Sequence, residues 1–170
     1  LLGWNDPRTG LYFSKNNAGA YAGGIVGKAN TFVDFSRAGA KVIAAADPYV
    51  FADVVETEFL RAEAAERGFT VAGSAESHYN KAITASILYW GGTQADADAY
   101  LAQPEVAYST AAGNWKQKIG TQKWIALYNR PYEGWTELRR LDFPVITAPV
   151  NAKSGFPTRL TYPANEQTLN

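Results

Sequence analysis

The sequence predicts a mainly α-helical fold, and three observations carry that expectation. Apolar residues recur at helical spacing through the middle of the chain. Capping residues precede those runs, and Gly or Pro ends them. The flanks are rich in Gly, Asn and Pro, with no sustained period, and read as long irregular segments.

The elements follow in order. Residues 1–47 hold scattered aromatics among Gly, Asn and Ala, and Asn5-Asp6-Pro7-Arg8-Thr9-Gly10 punctuates a turn. A short extended pair is expected around Leu11-Tyr12-Phe13 and Thr31-Phe32-Val33. Asp47 is read as the cap of a first helix with Pro48 in its opening turn, where a missing N–H does no harm. Phe51, Val54, Val55, Phe59, Ala62 and Ala65 then form its apolar stripe, and Gly68 its stop. Ser74 caps a second helix, with Glu76 favoured in its first turn by the helix dipole. Tyr79, Ile83, Ser86, Ile87 and Trp90 share one face of it before Gly91-Gly92. The two make a helical hairpin.

A short helix runs from Thr93 to about Leu101, and Pro104 closes that segment. A longer helix is expected over 114–128, where Trp115, Ile119, Trp124, Ile125 and Leu127 imply burial on several sides. Its Gly120 costs about 1 kcal/mol relative to Ala, so packing must justify it. Pro131 opens the last helix, with Glu133 and Glu137 early and Arg139 and Arg140 late, as the dipole favours. The chain therefore divides into a loop-rich segment (1–47), a helical part (48–142) and an irregular tail (143–170) with a brief extended piece at 158–162. At 170 residues these belong to one domain.

Composition narrows the function. Sixteen basic residues balance sixteen acidic ones, so neither nucleic acid nor an anionic membrane surface is an expected partner. There is no Cys, which excludes thiolate zinc sites and thiol nucleophiles. There is no Met either, and the chain opens at Leu1-Leu2-Gly3-Trp4 without a leader, as a piece of a longer protein would. Gly23-Gly24-Ile25-Val26-Gly27-Lys28 departs from a phosphate-binding loop, with Ala22 and Ala29 where Gly and Ser or Thr are needed. His78 is the only histidine, and a surface or hydrogen-bonded role is expected for it ahead of catalysis. Glu56, Glu58, Glu63 and Glu66 are interleaved with Arg61 and Arg67, so a self-neutralising helix face is expected ahead of a glycosidase pair. Neither a catalytic residue nor a metal or cofactor site is expected.

The aromatics of the first segment are the better candidates. Sugar rings present apolar C–H faces that pack on aromatic rings, while Asn and Asp bond hydroxyls. Trp4, Tyr12 and Tyr21 are the expected ligand-binding residues, with Phe32 and Phe35 nearby and Asn16, Asn17, Asn30 and Asp34 as polar partners. Trp90, Trp115, Trp124 and Trp135 are expected in the core.

Three stretches read together resemble the SusD/RagB family, in particular its second large branch. The first is 54–68, glutamate- and alanine-rich and ending in Arg67-Gly68, followed by Tyr79-Asn80-Lys81-Ala82-Ile83-Thr84-Ala85-Ser86. The second is Gln122-Lys123-Trp124-Ile125-Ala126-Leu127 with Trp135-Thr136-Glu137-Leu138-Arg139-Arg140. The third is Pro157-Thr158-Arg159-Leu160-Thr161-Tyr162-Pro163, with Asn165-Glu166 and the final Asn170. Asp6-Pro7-Arg8 is similar to a further short element. The resemblance implies the C-terminal portion of a SusD-like fold, with tetratricopeptide-like helix pairs and long irregular loops. It also implies a lipid-anchored, outward-facing protein of the outer membrane that binds glycans, or sometimes peptides, without chemistry. Its implied partners are a SusC-like TonB-dependent transporter, which it would cover as a lid, the ligand, and the missing N-terminal part of the same protein. The family's motif residues look like determinants of the fold, and a scaffold that binds only the transporter is the rival reading.

Overall fold

The computed structural model describes residues 1–160, 162–163 and 165–166. Helix α1 is one turn, Thr9–Tyr12, and runs into strand β1, Phe13–Ser14. Strand β2, Arg37–Ala38, pairs with β1 antiparallel, Phe13 facing Ala38. The hairpin helices are α2, Val54–Glu66, and α3, Ala75–Trp90. Helices α4, Gln94–Leu101, α5, Trp115–Ala126, and α6, Pro131–Leu141, follow. No helix among the described residues is long and apolar enough to cross a membrane.

Several boundaries fall where the caps predict. Ser74 accepts from the Ser77 N–H and Asn114 from the Gln117 N–H, each satisfying an orphan donor of a first turn. Thr93 and Asp96 form a reciprocal capping box. Gly91 closes α3 at φ 105, a left-handed conformation that Gly adopts without steric cost.

Two expectations need correction. The first hairpin helix starts at Val54, not at Pro48. Asp53 is its cap and accepts from the Glu56 N–H at 2.8 Å, while Phe51 is 86% exposed and belongs to no apolar stripe. Asp53→Ala is therefore expected to cost about 1 kcal/mol of stability, measurable by urea unfolding, with Pro48→Ala neutral. The extended pair exists but is displaced. Leu11 and Tyr12 lie in α1, Phe32 and Val33 lie in a short 3-10 turn (Phe32–Asp34), and the pairing strand comes later, at Arg37–Ala38. Gly39 permits this docking: a Cβ there would lie 2.5 Å from the Leu11 carbonyl oxygen.

Val55, Phe59 and Ala62 of α2 face Tyr79, Ala82, Ile83 and Ile87 of α3, with Ala97, Tyr100, Val106 and Ile119 completing the core. Gly120 is explained by packing, since a Cβ would meet the Phe143 carbonyl oxygen at 3.1 Å and the Leu141 Cβ at 3.4 Å. The tail is strapped across α6. Trp135 donates through Nε1 to the Pro157 carbonyl at 2.9 Å, and Arg139, stacked on the Trp135 ring, donates to that of Thr158 at 2.7 Å. Residues 158–160 form no strand; Thr161, in the expected extended piece, and the closing Asn170 lie outside the described residues.

Candidate functional site

Much of the charge in the helical part is spent on joining helices. Arg140 of α6 holds Glu63 of α2 with two guanidinium nitrogens and Glu137 at 2.5 Å, while Arg67 bonds Glu63 at 2.7 Å. Lys123 of α5 lies 3.0 Å from Glu137, and Arg130 pairs with Glu56 and lies 3.5 Å from Asp53. The carboxylate-rich face of α2 is thus neutralised by α5, α6 and its own arginines. Glu56 and Glu63 are thereby held by Arg130 and Arg140 and are not left free as the acid and base pair that glycoside hydrolysis requires. Burial works against the Glu63 charge, but Arg140 and Arg67 outweigh it and hold this carboxyl below the usual range. Its contribution to stability is present above the unfolded carboxylate range and is lost as pH falls through the depressed native value. Acid unfolding is accordingly expected to set in below the ordinary Glu range. Glu63→Gln should flatten that limb of a melting-temperature profile.

A second clamp fixes the first segment. Arg8, fully buried, bonds both oxygens of Asp6 at 2.9 and 2.7 Å. It also donates to Ser86 Oγ on α3 at 3.1 Å and to Gln122 Oε1 on α5 at 3.0 Å. Gln122 in turn donates to the Tyr100 hydroxyl on α4. Asp6-Pro7-Arg8 therefore ties the start of the chain to three helices. Trp4, two residues upstream, ends a 3-10 turn (Leu2–Trp4) and is closed off by Asn5 in a left-handed conformation, φ 46.

The clamp leaves Trp4 half-buried between two hollows on one side of α5. The first, about 360 Å³, is lined by Trp4, Glu105, Gln117, Lys118 and Thr121 among others. The second, about 210 Å³, runs between Trp4, Thr121, Trp124 and Pro144. Gln117, Thr121 and Trp124 lie at i, i+4 and i+7, so one helix face supplies amide, hydroxyl and ring in sequence. The side chains of Glu105, Gln117 and Thr121 make no hydrogen bond within the described residues. Lys118 is committed, donating to the Tyr108 carbonyl at 2.7 Å. Leu1, Trp124 and Ile125 connect the second hollow to a third, about 410 Å³, whose other walls include Phe13, Tyr128, Trp135 and Phe156. Among the described residues, no charged side chain lines that third cavity.

The structure treats the three expected ligand residues differently. Trp4 borders open space. Tyr12 lies behind the wall of the third cavity and is 0% exposed to solvent: it is stacked on Tyr128 at 4.4 Å, edge-on to Trp90, and donates its hydroxyl to the Ile125 carbonyl. Burial pushes that phenol up to about 12, against the opposing charge of Arg8. Tyr21 is half-buried in the loop near Lys15, and it lines none of the three hollows. Asn16 and Asn30 are spent on their own loop, Asn16 accepting from the Ala18 and Ala20 N–H groups and Asn30 bridging Ile25 and Lys28. Asn17 accepts from Arg37, whose guanidinium stacks 4.2 Å from the exposed Phe32 ring. Trp124, expected in the core, is 39% exposed, because α5 buries Ile119, Gln122 and Lys123 on its other side. The Gln117, Thr121, Trp124 spacing was the available signal for this face.

A family model described as starch-binding and associating with the outer membrane matches residues 1–163. The chain belongs to the SusD-like family. A chitin-binding SusD homologue from Flavobacterium johnsoniae superposes on 98% of this SusD-like chain with a TM-score of 0.81 and 29% identity. A SusD homologue from Bacteroides thetaiotaomicron covers 99% at a TM-score of 0.79 and 30% identity. A Bacteroidetes SusD-like protein covers 78% at 0.69 and 33%. The chain spans 42%, 43% and 28% of those three proteins, less than half of each. No curated protein matches it. The mainly helical fold is that of SusD-like proteins, and the motif residues have structural work: Arg8, Gln122, Lys123, Glu137 and Arg140 all sit in the two clamps.

Proposed function

We propose that this SusD-like chain is part of a nutrient-capture protein that holds an oligosaccharide by stacking and hydrogen bonds, without chemistry. The observation that carries the reading is Trp4, standing between two hollows with unpartnered Gln117, Thr121 and Glu105 within its walls. An aromatic platform beside free amide, hydroxyl and carboxylate groups suits a sugar, whose C–H faces and hydroxyls need both. The starch- and chitin-binding descriptions of its family and relative support a glycan as the ligand class. Outer-membrane placement with a lipid anchor facing outward, and hand-over to a SusC-like TonB-dependent transporter, complete the proposal.

The test is calorimetric titration of the intact protein with chitin and starch oligosaccharides, with reducing ends followed in the same samples. Saturable binding without release of reducing ends is expected. Trp4→Ala should weaken it about twofold to twelvefold, the loss of a ring contact worth roughly 0.5–1.5 kcal/mol. Tyr21→Ala asks whether the loop reaches the ligand as well. Undiminished affinity in the Trp4 variant would remove this groove from the account.

One observation favours a second reading for part of the surface. The 410 Å³ cavity is walled mostly by apolar and aromatic surface, and two of its polar groups, the Trp135 Nε1 and the Tyr12 hydroxyl, are already bonded to carbonyls. A sugar hydroxyl buried there without a partner would lose about 1–3 kcal/mol. This end suits packing against the rest of a longer polypeptide, as in a transporter-bound scaffold. Trp135→Ala should then lower the melting temperature of the intact protein and leave glycan affinity unchanged.

A further inference from the structure

The histidine of the α2–α3 hairpin sits in an arrangement that fixes its proton count. His78 is 0% exposed. Its Nε2 lies 2.6 Å from the carbonyl oxygen of Ala72, in the link between the helices, and its Nδ1 lies 2.5 Å from Glu58 Oε2 on α2. A carbonyl oxygen only accepts, so Nε2 must carry a hydrogen. A neutral ring would then turn the bare Nδ1 lone pair toward a carboxylate at contact distance, inside the protein, where an unpaired polar contact is most costly. A second proton removes the conflict. We propose that Glu58 and doubly protonated His78 form a buried ion pair that latches the hairpin link at neutral pH, and that raising the pH releases the latch by taking the Nδ1 proton.

The surrounding charges bear on where that proton sits. On α2, Arg61 bonds Glu58 at 3.1 Å and also reaches the Ala72 carbonyl, at 3.4 Å. Lys81 on α3 and Asp98 on α4 border the same hollow as Glu58. Burial opposes the Glu58 charge, but the His78 bond and charge, then Arg61 and Lys81, hold this carboxyl below the usual range. Glu58 already accepts from Arg61, which makes it the acceptor of the pair and the ring its donor. The latch closes on a tight frame: Gly73 has φ +98, and a Cβ there would lie 3.0 Å from His78 Nε2. Loss of the Nδ1 proton would leave the pair repelling and loosen the link carrying Ala72, between Gly68 and Ser74.

His78 is the only histidine of these 170 residues, and the ring 15N signals that disappear in a His78→Gln variant of the intact protein are assigned to it. Nitrogen NMR of the intact protein at neutral pH is expected to find both nitrogens protonated. As pH is raised, the Nδ1 proton should be lost together with amide protection in residues 69–77, by at least tenfold beyond the intrinsic increase of exchange. Glu58→Gln is the informative variant. Its side-chain amide can donate to Nδ1, so a neutral ring is satisfied and the alkaline loss of protection should vanish. An unprotonated Nδ1 at neutral pH in the unmodified protein overturns the proposal, as does the same alkaline loss in the Gln variant. Should that variant fail to fold, the ring spectrum of the unmodified protein decides alone.

Discussion

Arg8→Ala is expected to destabilise the protein by about 3–5 kcal/mol, the cost of leaving a buried charge without its partner. Asp6 is 3% exposed and takes two bonds from the guanidinium, so truncation strands a carboxylate and leaves Ser86 and Gln122 without a donor. Against a typical domain stability of roughly 5–15 kcal/mol, that loss is large. Arg8→Lys keeps a charge but not the planar fork that serves Asp6, Ser86 and Gln122 together, so it should recover only part of it. Urea unfolding of the three proteins measures the series. An Ala variant as stable as the parent would mean that Asp6 finds another partner.

Tyr12→Ala should be comparably severe, at about 3–5 kcal/mol, by analogy with large aromatic truncations in cores. The ring packs against Phe13, Trp90 and Tyr128, and its removal opens a cavity where α1 and α5 meet. Tyr12→Phe loses only the hydroxyl bond to Ile125 and should cost about 1 kcal/mol. The Phe variant also separates structure from recognition. Its glycan affinity should equal that of the unmodified protein, because no face of the ring reaches solvent.

The same residue shows what the sequence could and could not tell. Tyr12 and Trp4 are indistinguishable as aromatics in a glycine-rich segment, since no periodicity sorts inside from outside there. Their fates are set by Arg8, whose partners lie 78 and 114 residues away. Helix ends, by contrast, are local chemistry. Ser74, Thr93, Asn114 and Pro131 mark their helices because a cap needs only the next few residues. Asp47-Pro48 misled for the same reason: it carries the cap signal, but Asp53 carries it too and lies next to the apolar run that packs. Periodicity places Trp124 on the circumference of α5 but does not say which side meets solvent. The family motifs are legible as sequence, but their work as clamps depends on α2, α5 and α6 meeting in space.

The reach of Arg8 also orders assembly. The α2–α3 hairpin closes a link of about eight residues, whereas joining Arg8 to Gln122 closes one of 114. Loop-closure entropy makes the longer circuit costlier by about 2 kcal/mol, before any contact repays it. The hairpin should therefore form early and the first segment dock late, as a final fastening. Until it does, Tyr12 and its aromatic neighbours stand exposed, so that interval is when the chain is most open to proteases and to self-association.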